Sequence, residues 1–130
     1  MNRNTNFLID LLRLLPEGAT VFLDYYDDEV GPELWRLDAG KRIVPLKKRR
    51  ELIKLLVCAD LLRHLVHIEI SQGHDKYFNA YDRMMGCWIH KPFELPQRFI
   101  SKYKLVEQET CWEFEADGFD DLEQWIMILE

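Results

Sequence analysis

The spacing of apolar residues changes abruptly near His64, and this change limits the fold more than any other feature of the sequence. Before it, apolar side chains recur at the spacing of one helix face: Leu52, Leu55, Leu56, Ala59 and Leu62. After it, apolar and polar residues alternate from Val66 to Ile70, as in a strand buried on one side. A long amphipathic helix over about 47–64 that leads directly into such a strand predicts an α+β fold with the helix packed on one face of a sheet.

Shorter segments on both sides of this switch supply the other elements. Helical spacing predicts further helices at about 5–15 and 96–103, and alternation or short apolar runs predict strands at 21–26, 77–84, 87–89 and 110–116. The runs 35–37 and 42–44 are predicted to pair as a hairpin across Asp38-Ala39-Gly40, because Gly permits positive φ. Residues 122–129 fit a helix slightly better than a strand. The sequence therefore predicts one domain over 1–130 with a mostly antiparallel sheet of hairpins.

Composition predicts a folded cytoplasmic protein. The chain has 130 residues, of which 48% are hydrophobic and 31% charged, which suits one globular domain. Its three cysteines are an odd number with no close pair, which indicates a reducing compartment. The longest unbroken apolar runs, 55–59 and 125–129, are five residues each, whereas a membrane-spanning helix needs about 20. We therefore expect no membrane partner.

No motif in the sequence indicates catalysis or cofactor binding. The two serines, Ser71 and Ser101, lack the context of a nucleophile elbow. Gly40-Lys41-Arg42 lacks the upstream glycine and the hydroxyl residue of a phosphate-binding loop. We therefore predict no catalytic residues and no cofactor.

Five side chains have the chemistry of metal ligands, namely His64, His67, His74, Cys87 and His90. The spacing Cys87-x-x-His90 is typical of a ligand pair, but a structural zinc site needs four ligands in paired spacing. The sequence therefore predicts no metal site, and it leaves open whether these five side chains converge.

Charge is divided between two blocks. Residues 105–130 contain nine acids and no Lys or Arg, whereas residues 41–63 contain eight bases against Glu51 and Asp60. Two arrangements are compatible with this division. Either the blocks screen each other within the molecule, or each meets a partner of opposite charge.

Aromatic residues among the carboxylates favour a binding function. Buried aromatic side chains supply much of the energy of an interface, and charge steers the encounter. We expect a small acidic binding or inhibitory protein that masks a basic surface of a partner protein, of the immunity-protein type that neutralises a nuclease toxin. Trp112 and Phe114 are expected in the core, with Glu113 and Glu115 on the opposite side of their strand, and Tyr25, Tyr26 and Phe119 are expected at the surface. The predicted partner-binding residues are Tyr25, Tyr26, Asp27, Asp28, Glu29, Asp117, Phe119, Asp120, Asp121 and Glu123.

Other interpretations use different parts of the chain. In one, the long helix and the hairpin 66–84 form a winged-helix-like nucleic-acid-binding unit. Its phosphate-binding residues would be Lys47, Lys48, Arg49, Arg50 and Lys54. The net charge of −6 disfavours this interpretation, because such domains are usually basic. The further alternatives are an enzyme whose site is not visible as a motif and a subunit that binds copies of itself.

Overall fold

Seven strands form one antiparallel sheet in this computed structural model, which describes residues 2–26, 31–38 and 40–117. Within these ranges the sheet order is β2-β1-β3-β4-β5-β7-β6, and four α-helices accompany it. The predicted α+β class is confirmed. The elements are α1 Arg3–Leu14, β1 Thr20–Tyr25, α2 Pro32–Leu37, β2 Ile43–Pro45, α3 Arg49–Cys58, β3 Leu65–Gln72, β4 Asp75–Tyr81, β5 Gly86–His90, α4 Gln97–Tyr103, β6 Val106–Glu107 and β7 Cys111–Glu113.

The helix predicted over 47–64 is shorter and less regular than its apolar stripe indicates. α3 contains 10 residues and lies between two 3₁₀ turns, Leu46–Lys48 and Leu61–His64. Asp60 ends the α-helical path because its φ of 48° lies in the left-handed region, which Asp adopts more readily than most residues. Within the predicted stripe, Leu52, Leu56 and Leu62 are buried and Leu55 is partly buried, whereas Ala59 after the end of α3 is exposed.

The helices bury their apolar side chains against one face of the sheet. Phe7 of α1 stacks on Phe114 with ring centroids 3.8 Å apart, and it also contacts Phe78, Phe99 and Tyr103. Directly paired strand residues on this face are all buried: Leu23, Ile68, Ala80 and Cys87. Phe114 therefore lies in the core, as predicted, and Trp112 is partly buried against it.

The predicted hairpin between 35–37 and 42–44 is wrong. Residues 35–37 belong to α2, and β2 pairs with β1 instead. Pro32 at the start of α2 favours the helix, because its fixed φ suits the first helical turn and its missing N–H costs no hydrogen bond there. By contrast, the predicted hairpin of β3 and β4 forms, and Gly73 has a φ of 61° in its turn.

Within the described ranges, no helix has the length and apolar character needed to cross a membrane.

Arg49 links α3 to the C-terminal end of α1. Its Nη1 donates hydrogen bonds to the carbonyls of Leu12 at 2.6 Å and Leu15 at 3.0 Å, and its Nε donates to Leu46 at 3.1 Å. The last carbonyls of a helix lack partners within the helix and carry partial negative charge, so a guanidinium there is favourable. Arg49 therefore stabilises the packing of the two helices.

We predict that Arg49→Ala lowers the free energy of unfolding by about 2 kcal/mol, because carbonyls at the end of α1 lose a charged donor. The neighbouring Arg50 is exposed and serves as the matched control. Arg50→Ala should change stability by less than about 0.5 kcal/mol. Urea denaturation followed by circular dichroism measures both values, and equal losses in the two variants would contradict the assigned role.

Candidate binding face

The second face of the sheet carries no helix among the described residues. Its central row consists of residues that stand directly opposite one another on neighbouring strands: Phe22, Glu69, Asn79, Trp88, Glu113 and Val106. Asn79 is buried, whereas the other five are half-buried or exposed. Because side chains alternate along a strand, all of these groups point away from the helices. We call this side of the sheet the open face.

Aromatic rings cross four strands of the open face. Phe22 on β1 contacts His67 on β3 with centroids 5.9 Å apart, and His67 stacks on Tyr81 of β4 at 4.3 Å. Tyr81 then contacts Trp88 of β5 at 5.7 Å. Tyr81 is 42% exposed, so this aromatic row presents apolar surface to solvent.

Three carboxylates flank the aromatic row, and their partners differ. Asp24 lies 3.7 Å from Arg42, and Glu69 lies 3.7 Å from Lys76. The Glu113 carboxylate accepts a hydrogen bond from Gln108 Nε2 at 3.2 Å. Over the described part of the chain, no Lys or Arg forms an ion pair with Glu113, so its negative charge is less compensated than the other two.

A short polar network lies beside the aromatic row. His90 Nε2 and Asn79 Oδ1 form a hydrogen bond of 2.8 Å, and Asn79 Nδ2 donates a longer one of 3.5 Å to the Tyr81 hydroxyl. Burial lowers the pKa of His90 below its ordinary value of 6.5, and the charge of Lys76 lowers it further, while Glu69 partly opposes both. His90 is therefore favoured in its neutral form in the folded protein.

Of the residues that the sequence assigns to partner binding, the structure describes Tyr25, Tyr26 and Asp117, and their surroundings differ. The expectation that Tyr25 is exposed is wrong, because alternation along β1 directs it to the helix side, where its hydroxyl donates to Asp38 at 2.6 Å. Tyr26 is 61% exposed, as expected. Asp117 is exposed too, but its backbone bonds to the Asn4 side chain of α1.

Several sequence-based predictions lie outside the described residues. They concern the secondary structure of 122–129 and the side chains of Asp27, Asp28, Glu29, Phe119, Asp120, Asp121 and Glu123.

The basic residues at the start of α3 lie among the helices, apart from the open face. Lys47, Lys48, Arg50 and Lys54 are exposed, whereas Arg49 binds carbonyls as described above. β2, which precedes this segment, is one edge of the sheet, and the acidic strands β6 and β7 are at the other edge. In the ranges that the structure describes, no ion pair joins the two charge blocks. The proposed wing is also wrong, because β3 and β4 are paired on both sides and do not project.

The candidate metal ligands do not converge. Among the described residues, no group of three His, Cys, Asp or Glu side chains is placed to hold a metal ion. Cys87 faces the helices, whereas His90, three residues further along the same strand, belongs to the open face. Burial raises the pKa of the Cys87 thiol to about 12, with Glu113 contributing, so this thiol is a poor nucleophile at neutral pH.

The assembled open face is not recognisable from the sequence, although one part of it is. The alternation in 110–116 placed Glu113 on the side opposite Trp112 and Phe114. The alternation in β3 was the available signal for His67 and Glu69, but pairing them with Tyr81, Trp88 and Glu113 requires the strand order.

Comparison with known proteins identifies no relative. No family model, no curated protein and no solved structure matches this chain.

The lowered pKa of His90 predicts a specific loss of stability in mild acid. The unfolded chain binds a proton at His90 at higher pH than the folded protein does, so stability falls as pH drops through and below about 6.5. Urea midpoints measured between about pH 7.5 and about pH 5 should therefore decrease more for the wild type than for His90→Gln. His74, which is exposed in the β3–β4 turn, provides the control through His74→Gln. Identical pH dependence in the wild type and His90→Gln would contradict this assignment.

Proposed function

We propose that this protein is a binding or inhibitory protein whose open face covers a basic surface of a partner protein. The observation that carries the proposal is the aromatic row across β1, β3, β4 and β5, flanked by Asp24, Glu69 and Glu113. Large aromatic side chains provide binding energy when an interface excludes water, and carboxylates select a cationic partner.

The dimensions of the sheet support a specific interface. Seven strands at a spacing of about 4.8 Å extend over about 29 Å. A protein–protein interface of standard size covers about 800 Å² on each partner, which corresponds to a square patch of about 28 Å on each side. The sheet reaches this width across its strands, but β2, β6 and β7 contain only two or three residues each, so the open face supplies the centre of such an interface and not its whole area.

The charge of the whole chain supports the same class of partner. A net charge of −6 attracts basic proteins and repels nucleic acid, and it accelerates association at low salt. Tyr26 is exposed, and in the sequence it is followed directly by three further acids, Asp27, Asp28 and Glu29. A protein surface that binds nucleic-acid phosphates is basic, so covering it would inhibit a nuclease of the toxin class.

The proposal predicts that a positive charge in the aromatic row prevents binding. Immobilised wild-type protein should retain one basic protein from a native lysate, and Tyr81→Arg should weaken the affinity of the purified pair about 100-fold, because it buries a cation against a cationic partner. Val57→Arg is the matched control, since Val57 is 51% exposed and lies on α3. Stoichiometric wild-type protein should also block binding of nucleic acid to the partner.

Three outcomes would overturn this proposal. They are retention of no basic protein by the wild type, undiminished affinity of Tyr81→Arg, and a wild-type dimer that Tyr81→Arg dissociates. The last result would assign the open face to self-association.

A second candidate function is nucleic-acid binding through the basic residues of α3 and of the 3₁₀ turn that precedes it. The observation that favours it is the exposure of Lys47, Lys48, Arg50 and Lys54 without an ion-pair partner in the described residues. Salt-dependent binding of a DNA duplex that is lost in Lys47→Glu/Lys48→Glu and retained in Tyr81→Arg would establish this alternative, because phosphate contacts are electrostatic.

A further inference from the structure

Trp88 and Glu113 form a cross-strand pair on the open face. They stand directly opposite each other on β5 and β7. The Cβ atoms of such a pair are about 5 Å apart, which brings the carboxylate within reach of a group lying on the indole. The pair thus combines an aromatic surface with a negative charge.

Glu113 differs from the other carboxylates of this face in its charge balance. Asp24 and Glu69 already have Arg42 and Lys76 as cationic neighbours, whereas Glu113 receives a neutral amide from Gln108. That hydrogen bond restrains the Glu113 side chain without neutralising its charge. A cation from a partner would therefore gain more from Glu113 than from the other two carboxylates.

The position of Trp88 depends on Gly86. A Cβ atom at Gly86 would be 2.6 Å from the Trp88 ring carbon Cη2, so the indole lies close over the backbone of its own strand. Real Cβ atoms do not approach other heavy atoms this closely, and any other residue at position 86 would displace the ring. Glycine thus allows Trp88 to lie low on the sheet, next to Tyr81.

We propose that Trp88 and Glu113 form a subsite for one arginine side chain of the cationic partner. A guanidinium group is planar, so it stacks on an indole while its N–H groups donate to a carboxylate. A lysine ammonium is more strongly hydrated and cannot satisfy both contacts in the same way. This inference rests on the proposed function, because the arginine belongs to the basic surface that the open face covers.

The test compares labelled hexa-arginine and hexa-lysine peptides of equal charge. The wild type should bind hexa-arginine about five-fold more tightly, as measured by fluorescence anisotropy. Glu113→Gln and Trp88→Leu should each reduce this ratio to about one. Gly86→Ala should also reduce it although both binding side chains are retained, because the added methyl group displaces the indole. In an NMR titration, the indole N–H signal of Trp88 should shift more with hexa-arginine than with hexa-lysine.

Matched controls lie outside the subsite. Glu107 pairs with Lys91 and Trp35 is exposed on α2, so Glu107→Gln and Trp35→Leu should keep the wild-type ratio. Thermal melts monitored by circular dichroism establish whether each variant is folded. If Trp88→Leu unfolds, the near-isosteric Glu113→Gln still tests the subsite.

The subsite and the proposed function can fail separately. Equal affinity of the wild type for both peptides, or an arginine preference that survives Glu113→Gln, would overturn the subsite while leaving the open face as a cation-binding surface. An arginine preference that depends on Trp88 and Glu113, in a protein that retains no basic partner, would support the subsite and overturn the inhibitory function.

Discussion

Stacking of Phe7 on Phe114 joins the first helix of the chain to the last described strand region, and the arrangement of the sheet depends on it. Phe7 also contacts Phe78 in the centre of the sheet and Phe99 in α4, so one side chain ties together elements from all parts of the sequence. This core lies on one side of the strands. Among the described residues the helices cover only this side, and the opposite side presents the partly exposed ring of Tyr81.

Local patterns in the sequence predicted the helices and strands better than they predicted what each element packs against. Alternation indicated β3, and helical spacing indicated α1 and the buried side of α3, because both periodicities reflect one-sided burial. The same reasoning failed at 35–37, where Trp35 and Leu37 resemble a strand but Pro32 favours a helix. It also failed at Tyr25, since the acidic residues after the strand indicated a surface loop whereas the position within β1 determines the direction of the side chain.

The candidate site was less predictable, because its members come together only through long-range strand pairing. Glu113 was expected on the outward side of its strand, but nothing local placed it opposite Trp88. The acidic and basic blocks were equally ambiguous, since the separation of their described parts depends on β2 and β6 occupying the two edges of the sheet. Arg49 lies in a basic run that resembles a phosphate-binding site, but its side chain donates hydrogen bonds to helix carbonyls instead.

Both outer strands of the sheet are short, and this matters for how copies of the protein behave at high concentration. β2 has three residues and includes Pro45, which has no backbone N–H, and β6 has two residues. A long, regular outer strand would be a template on which a second molecule could extend the hydrogen-bonded ladder, and repetition of that step produces filaments. The described edges offer little such template. The protein can therefore expose an aromatic sheet face without promoting end-to-end polymerisation of its own sheet.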